Sequence, residues 1–484
     1  MKRPLRLLFV AGLVSVSSVI LPSAPAGAPV ASAAGCTLCA GGEYHPIAPV
    51  RIFDSRTLEA VPELPINDVA PLGSKPLGAS NPSFDLQLLG IDDPEFENPW
   101  VPTDEGIQAD DILAVAVSVT VISPTVRGYM GAHPTGSPSD TSVLNFGAGQ
   151  TVANLTIVRP GTGGELTLWL HGDAAGSADV AVDVYGWIST SGYLGADDVE
   201  SADERGGRII PVGPGRVFDN RPGTLGPQGV QEIAIRGADT VVAPIITDIV
   251  PDSADVEGVV VNITAVQPTA TTFISALPEN PVGMPTTSNV NVPAGAIKAN
   301  MAMVPVGADG KIRLYNHSGN VKLIVDVVAY ILKGADETRA GRVIPLTAPF
   351  RALDTRQVEF GGVPLGPGAA EDWDFAPFAD SVSIGGVPVG HQAGLIGNLT
   401  NAKLTRQYPT VGVTSYLTVY PTPAVNGQPP TVSNVNTVES VASDPKAVPN
   451  MALIRYSDDL KVRVFNYQGY AHYILDVSAV ILAD

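Results

Sequence analysis

The hydrophobic residues of this chain fall into many short runs that are separated by Gly, Pro and Asn. Residues 113–121 (LAVAVSVTV) and 259–266 (VVVNITAV) are rich in β-branched residues, and residues 166–170 (LTLWL) alternate with a period of two. Such runs indicate β-strands. Beyond residue 33, no stretch keeps the helical spacing i, i+3, i+4, i+7 over four turns. The pattern predicts an all-β fold of antiparallel β-sandwiches, jelly-roll or immunoglobulin-like, with β-barrel modules as the alternative.

Three sequence landmarks occur in the same order three times. The first is a charged motif, Arg-x-x-Asp-x-Arg, and the second is a Ser-x-x-Asn tetrapeptide at 142–145, 288–291 and 433–436. The third is a β-branched run that contains one aspartate. The charged residues of the first and third landmarks are Arg51, Asp54, Arg56 and Asp183; Arg216, Asp219, Arg221 and Asp326; and Arg351, Asp354, Arg356 and Asp476. This order predicts a tandem array of three homologous units, each long enough to bury its own core.

The repeats also set the expected domain boundaries. We expect a signal peptide at 1–33, an N-terminal segment at 34–45, unit 1 at 46–188, an acidic linker at 189–207, unit 2 at 208–332, a second linker at 333–341, and unit 3 at 342–484. Unit 1 carries an insertion, 57–111, with 12 acidic residues, one lysine and eight prolines. This composition predicts an extended surface loop.

The N-terminus has the pattern of an export signal. Lys2, Arg3 and Arg6 surround the start of an apolar stretch at 7–21, and Ala31-Ser32-Ala33 fits cleavage before Ala34. A lipoprotein acylated at Cys36 is the alternative. No run reaches the roughly 20 apolar residues that a membrane-spanning helix needs. We therefore expect a protein without a membrane span that is secreted, and extracellular or associated with the cell surface.

The two cysteines and the charge balance narrow the chemistry. In an oxidising compartment, Cys36 and Cys39 are expected to form a local disulfide. The chain has 28 Lys and Arg against 48 Asp and Glu, a net charge of −20. Nucleic-acid binding requires a positive surface, so this balance argues against it.

The landmarks together resemble a repeat module of actinobacterial secreted and cell-surface proteins. That module begins P-x-R-x-x-D-T-R, continues through V-x-N-V-T and S-N-x-N segments, and ends D-V-x-G-Y. Residues 183–187 (DVYGW), 261–264 (VNIT) and 326–330 (DVVAY) follow the pattern, whereas 476–480 (DVSAV) lack the Gly-aromatic ending. The resemblance implies accessory β domains, often attached to exported hydrolases, with no settled activity of their own.

The charged residues of the repeats allow two interpretations. An aspartate among β-branched residues is expected to be partly buried, and buried charges need partners. We therefore interpret Arg51, Asp54, Arg56 and Asp183, and their counterparts in units 2 and 3, as structural ion pairs. The alternative is a site that grips an anionic or sugar ligand. The repeated Asn145, Asn291 and Asn436, and Asn154, Asn300 and Asn450, are expected to bind backbone groups, with a polar row for carbohydrate as the alternative.

Other chemistry has weaker support in the sequence. The acidic residues Asp92, Asp93, Glu95 and Glu97 are candidate ligands of a calcium ion, although their spacing is not that of an EF-hand. No other cofactor is expected. The six histidines do not fall on shared landmarks, and no Gly-x-Ser-x-Gly or His-Glu-x-x-His motif occurs. We therefore do not expect an enzyme.

The sequence thus favours a non-enzymatic structural or adhesive scaffold whose partner is a surface polymer, a glycan or another protein. The alternative is an array of carbohydrate-binding or cell-wall-binding modules that uses aromatic residues such as Trp100, Tyr129 and Tyr416. A third possibility is an exported hydrolase. The ligand and the oligomeric state stay open at this stage.

Overall fold

The computed structural model describes most of the three predicted units. The described residues are 3–4, 41–56, 75–76, 83–89, 111–172, 176–190, 205–333, 338–384, 387–388, 391–405, 414–423, 428–438 and 447–483. Strands dominate them, which confirms the prediction of an all-β fold. The described residues include one α-helix, α1 (Ala376–Ser381), and short 3-10 turns at Thr162–Gly164 and Val358–Phe360. None of the helices in this part of the chain has the length and apolar character needed to cross a membrane.

Unit 1 contains two antiparallel sheets. Its strands are β2 (Tyr44–Asp54), β3 (Lys75–Pro76), β4 (Ser83–Gln87), β5 (Ile112–Ile122), β6 (Gly128–Pro134), β7 (Leu144–Phe146), β8 (Val152–Val158), β9 (Glu165–Gly172) and β10 (Ser177–Ser189). The strand orders are β2-β10-β5-β8, with β3 also on β10, and β4-β9-β6-β7. We call the first of these the inner sheet and the second the outer sheet.

Unit 2 repeats this arrangement without the insertion. Its strands are β11 (Arg208–Asp219), β12 (Val230–Ala234), β13 (Val256–Val266), β14 (Thr272–Leu277), β15 (Val290–Val292), β16 (Ile297–Pro305), β17 (Lys311–Asn316) and β18 (Lys322–Leu332). The inner sheet has the order β11-β18-β13-β16 and the outer sheet β12-β17-β14-β15. The same order of strands therefore follows from two stretches of rather different sequence.

Unit 3 has the same two sheets and a few additions. Its strands are β19 (Val343–Asp354), β20 (Ala370–Asp374), β21 (Ser383–Ile384), β22 (Val387–Pro388), β23 (Gln392–Thr405), β24 (Thr414–Pro421), β25 (Val435–Val438), β26 (Val448–Arg455), β27 (Lys461–Asn466) and β28 (Tyr470–Leu482). The inner sheet is β19-β28-β23-β26, and the outer sheet is β20-β27-β24-β25. The two-residue β1 (Arg3–Pro4) pairs in parallel with β20; the rest of the predicted signal peptide lies outside the described residues.

The acidic insertion of unit 1 is more than a surface loop. Strand β4 lies inside it and occupies the place that β12 and β20 take in the other units. Leu86, Leu88 and Leu89 are buried in the core of unit 1. The interpretation of all of 57–111 as a loop is therefore wrong for residues 83–89. The acidic residues and prolines, averaged over the whole segment, concealed a strand of five residues with its own alternation.

The two sheets of each unit pack their apolar faces into one cluster. In unit 1, for example, Leu86 and Leu168 of the outer sheet belong to the same buried cluster as Val117 and Val182 of the inner sheet. Units 2 and 3 have equivalent clusters. Among the described residues the two sheets of a unit are not joined by strand pairing.

A fourth hydrophobic cluster, which we call the central core, joins the inner sheets of all three units. It includes Ala116 and Ile157 of unit 1, Met301 and Met303 of unit 2, and Met451 of unit 3, all almost completely buried. The inner sheets are therefore covered on both faces, which accounts for their nearly continuous apolar runs. The units are consequently packed against one another through their inner sheets.

Buried asparagines connect the units beside the central core. Asn154 of β8 donates from Nδ2 to Asn398 Oδ1 of unit 3 at 3.0 Å and accepts from the backbone N–H of Met451 at 2.9 Å. Asn450 of β26 makes the matching bonds to Asn262 Oδ1 and the Met301 N–H of unit 2, at 2.9 and 3.1 Å. Buried amides without partners are costly, so these bonds favour one relative orientation of the units.

This packing predicts that a single unit is not stable in isolation. Cutting out residues 208–332 would expose Val260, Met301, Met303 and Ile331 of the central core to water. At ~25 cal/mol per Å² of apolar surface, exposing side chains of this size costs several kcal/mol in total. We expect the fragment to bind the dye ANS and to aggregate, whereas the full chain does neither. A monomeric fragment with a sharp thermal transition near that of the full chain would contradict the role of the central core.

Candidate functional site: charged trios and aromatic rows

The repeated charged motif lies on the inner sheet of each unit, where the first strand pairs with the last. Arg51 is in register with Asp183, Arg216 with Asp326, and Arg351 with Asp476. The Nε of each arginine donates to its aspartate, at 2.8, 2.8 and 2.9 Å respectively, and the Nη2 makes a second bond. The structure therefore brings these predicted partners together as cross-strand, bidentate pairs.

The second arginine of each motif pairs with the middle aspartate. Arg56 Nε and Nη2 donate to the two oxygens of Asp54 at 2.9 and 2.6 Å. Arg221 and Asp219, and Arg356 and Asp354, repeat this geometry. Burial raises the pKa of Asp54, but the bonds and charge of Arg56 and Arg51 outweigh it, so that the pKa lies below its ordinary value. We call the three charged residues of the motif, such as Arg51, Asp54 and Arg56, the trio, and the aspartate of the last strand, such as Asp183, the final aspartate. Together they form one connected network of two cations and two anions.

The final aspartates are deeply buried. Asp183, Asp326 and Asp476 are 0%, 1% and 3% exposed. Burial raises the pKa of each, and the paired arginine lowers it again only in part. Because both carboxylate oxygens are engaged by a guanidinium, this arrangement fits a structural ion pair better than an open ligand site.

The networks of units 2 and 3 also lie against a neighbouring unit. In unit 2, the backbone of Ser433 from unit 3 hydrogen-bonds to Asp326, and Asn262 donates to the carbonyl of the same serine. In unit 3, Pro349, two residues before Arg351, accepts a bond from unit 1, because Ser139 Oγ donates to its carbonyl at 3.2 Å. The networks therefore stabilise the boundaries between units as well as the first and last strands of each unit.

A separate ionic cluster holds the three chain segments that enter the units. Gly42 pairs with Val343 and Tyr44 with Gly207, so residues before β2 contact the starts of both other units. Between them Glu43 is fully buried and accepts bonds from Arg342 Nη2 at 2.9 Å and Arg205 Nη2 at 2.8 Å. We call Glu43, Arg205, Arg208 and Arg342 the axial cluster.

Glu257 lies close to the axial cluster and gives the protein a pH dependence. Burial raises the pKa of Glu257 to about 7, with Lys333 opposing and Glu43 reinforcing the shift. The folded protein therefore binds this proton more tightly than the unfolded chain does. Its contribution is complete below the unfolded pKa, near 4.3, and is lost as the pH rises through about 7.

We therefore expect Glu257→Gln to raise the melting temperature at pH 8 and to leave it nearly unchanged at pH 4. The difference is at most about 3 kcal/mol in the free energy of unfolding. Thermal melts of both proteins across this pH range provide the measurement. Glu359→Gln, at an exposed side chain, is the control and should follow the wild type. Parallel pH profiles for Glu257→Gln and the wild type would contradict the assignment.

Several predicted site residues lie outside the described part of the chain. These are the disulfide candidates Cys36 and Cys39, the calcium candidates Asp92, Asp93, Glu95 and Glu97, and the aromatic residue Trp100. Among the residues that are described, no group of three or more His, Cys, Asp or Glu side chains could hold a metal ion.

The outer sheets carry a feature that the sequence analysis recognised only in part. In every unit, three side chains in register across neighbouring strands form a row of two rings and one asparagine. We call these the aromatic rows: His171–Tyr129–Asn145 in unit 1, His317–Phe273–Asn291 in unit 2, and Tyr467–Tyr416–Asn436 in unit 3. The ring centroids are 4.8, 4.6 and 4.8 Å apart.

A third ring flanks each row on the same face of the sheet. Trp169, Tyr315 and Phe465 lie two residues before the first ring of their rows, with centroids 5.4, 6.2 and 6.3 Å from Tyr129, Phe273 and Tyr416. In unit 1 a Cβ on Gly131 would meet the Trp169 indole at 2.1 Å, so the glycine lets that ring lie over the strand. The rows alternate with buried residues such as Met130 and Leu170 and therefore point away from the core.

The histidines of two rows occupy equivalent positions, contrary to our expectation that no histidines do. His171 and His317 both follow the aligned strands 166–170 and 312–315, and Tyr467 holds the same place in unit 3. Aligning those strands two residues further would have found them. Only the register with β6, β14 and β24 shows that the rings form pairs.

Unit 3 also has an open polar cleft of about 600 Å³, lined by residues such as Asp372, Arg455, Asp459, Lys461 and Arg463. Asp372 accepts two bonds from Arg463, at 2.6 and 2.8 Å, and Asp459 pairs with Lys461. The hydrogen bond from Arg463 is the largest of the effects that lower the pKa of Asp372. The hydrogen bond from Lys461 likewise lowers the pKa of Asp459, so both carboxylates are engaged in ion pairs.

Comparisons with known proteins identify no family. No family model matches the chain, and no curated protein matches it. Among solved structures, the chain is similar to the triple jelly roll and turret assembly of an archaeal virus (TM-score 0.17, 9% identity, 90% of each chain covered). It is also similar to Sulfolobus Turreted Icosahedral Virus (0.17, 10%, 84% and 85%) and to the CBM22-1-CBM22-2 tandem domain of Paenibacillus barcinonensis Xyn10C (0.13, 12%, 45% and 79%).

Proposed function

We propose that this chain is an exported, non-enzymatic scaffold with a structural or adhesive role at the cell surface. In this proposal each unit is a β-sandwich domain, formed by its inner and outer sheets. The three sandwiches act as one body, and each presents the same face. The observation that carries the proposal is the combination of a central core shared by all units with an aromatic row on every outer sheet.

A fixed orientation matters for such a role because it affects avidity. When the first of several linked sites binds a surface polymer, the others are held at a high effective concentration beside it. Rigid linkage through the central core and the axial cluster keeps the sites from sampling unproductive orientations, which lowers the entropic cost of binding. Three modest sites can then hold a surface firmly.

The proposal is tested by measuring how the purified mature chain, which begins at Ala34, binds to intact cells and to isolated cell-wall material. We expect saturable retention on one of them, with no release of soluble sugars or peptides during long incubation. Steady product release would favour the alternative of an exported hydrolase. Failure to bind either material would overturn the scaffold. Mass spectrometry of the exported protein tests the predicted signal peptide, since cleavage before Ala34 is expected.

The second candidate function, an array of carbohydrate-binding modules, is favoured by one specific observation. Tyr129 and Tyr416, which the sequence singled out for this role, are the central rings of two aromatic rows. Glycan binding and a scaffold role are compatible, because a glycan is one of the partners that a surface scaffold can use.

A further inference from the structure

We propose that the three aromatic rows are binding sites for a neutral glycan chain, one site in each unit. This inference rests on the proposed scaffold function and names the partner. It combines the paired rings, the asparagine at the end of each row, and the recurrence of both in all three units.

The recurrence is the first step. Aromatic residues make up only 6% of the chain, yet the central position of the row is aromatic in every unit, as Tyr129, Phe273 and Tyr416. The identity of the ring changes while its contact with a second ring, at 4.6–4.8 Å between centroids, does not. A requirement for a ring surface explains this variation, whereas a requirement for one particular side chain does not.

The exposure of the outer ring in unit 3 is the second step, and the other rings of the rows are half-buried. Tyr467, the outer ring in unit 3, is 44% exposed, and the neighbouring backbone is Gly368, whose N–H bonds to the Tyr467 carbonyl at 3.1 Å. A Cβ built on Gly368 would have no heavy atom within 4 Å, so the space beside this glycine is open. The electron-rich face of such a ring attracts the polarised C–H groups on one face of a pyranose.

The asparagine is the third step. Asn436 Nδ2 donates to Ser433 Oγ at 3.0 Å, and Asn291 Nδ2 donates to Ser288 Oγ at the same distance. An asparagine amide has two donor hydrogens and two acceptor lone pairs, so capacity for sugar hydroxyls is left after this bond. The row crosses three strands, a span of about 10 Å, which suits a stretch of glycan chain better than a single sugar.

The charge of the rows selects the type of glycan. No row contains a carboxylate, an ammonium or a guanidinium group. Arg216, whose charge opposes the burial that raises the pKa of Tyr416, is already paired with Asp326. A neutral chain therefore fits the rows.

Stabilisation of the sheet is the competing explanation, because ring pairs across strands also contribute to stability. A purely structural role predicts that loss of a ring changes the melting temperature and leaves binding unaltered. The glycan site predicts loss of binding with an intact fold. Tyr416→Phe separates the two further, because Phe273 fills this position in unit 2; it should bind as the wild type does.

The experiment titrates the full chain with neutral hexasaccharides (cello-, xylo-, manno- and chitohexaose) by calorimetry, and measures retention on cells in parallel. We expect three sites per chain for the bound sugar, two in Tyr416→Ala, and none in the triple variant Tyr129→Ala, Phe273→Ala, Tyr416→Ala. Retention on cells should fall at least tenfold in the triple variant, because avidity multiplies the loss of each site. Phe350→Ala, which removes an exposed ring outside the rows, is the matched control and keeps three sites.

The outcomes separate the inference from the function on which it rests. Wild-type protein that binds none of the hexasaccharides, or a folded triple variant that binds like the wild type, overturns the glycan sites. If the triple variant still binds cells, and protease but not periodate treatment of the cells abolishes this binding, the partner is a protein and the scaffold stands without the glycan sites. Hexasaccharide binding without any retention on cells or on isolated cell-wall material supports the glycan sites and overturns the scaffold.

Discussion

Replacing Asp326 by alanine is expected to destabilise unit 2 by about 3–5 kcal/mol, the usual cost of removing one partner from a buried ion pair. Arg216, itself only 6% exposed, would be left without the carboxylate that engages its Nε and Nη2. The contact of Asp326 with the backbone of Ser433 would also be lost, which loosens the boundary with unit 3. Denaturant unfolding, followed by circular dichroism, measures the change.

Two further variants decide what the Asp326 result means. Arg221→Ala removes a guanidinium that is 45% exposed, and its cost should stay within about 1 kcal/mol. The double change Arg216→Met, Asp326→Leu should recover most of the lost stability, because it removes both charges together. If Asp326→Ala unfolds at the wild-type denaturant concentration, the structural interpretation of the charged network is wrong.

Replacing Glu43 by alanine is expected to open the contacts between the chain segments that enter the three units. Glu43 is the carboxylate that accepts bonds from both Arg205 and Arg342, and Arg342 has no exposed surface. Its loss leaves buried, like-charged guanidinium groups without that partner, which costs about 3–5 kcal/mol. Hydrogen exchange should quicken at the Gly42 and Tyr44 amides, which bond to the Val343 and Gly207 carbonyls at 2.9 and 2.7 Å.

The matched variants for Glu43 test charge against shape. Glu43→Gln preserves the size of the side chain and removes its charge, so it should be destabilising but less so than alanine. Glu43→Ala combined with Arg342→Ala should regain part of the stability, since one buried cation is removed with the anion. Unchanged exchange at Gly42 and Tyr44 in Glu43→Ala would show that the axial cluster does not hold the three segments together.

The strands and the repeat were readable from the sequence because they depend on local patterns. Runs such as 113–121 and 259–266 became β5 and β13, and the recurring Arg and Asp fell on the paired first and last strands of each unit. A cross-strand ion pair can be predicted when an arginine recurs near the start of each repeat and an aspartate recurs near its end. Strand β4 was missed because its surroundings are acidic and rich in proline.

The aromatic rows were only partly foreseen, because they depend on register between strands. Tyr129 and Tyr416 were named as candidate sugar-binding residues, but their partners His171 and Tyr467 lie more than 40 residues away. Which residue of β9 faces Tyr129 is fixed by the antiparallel pairing, and a shift of one residue would turn His171 to the core. Sequence spacing alone does not contain that register.

The amino-acid sequence by itself determined an all-β chain of three related units and the partners within each ion-paired trio. Both follow from the alternation of side chains along single strands and from repetition. Only the tertiary structure decided that the inner sheets share a central core, that Glu43 reaches arginines of the other units, and that rings from distant segments align into rows. An apolar run reveals that a face must be buried, but the neighbour that covers it is fixed only when the whole chain has packed.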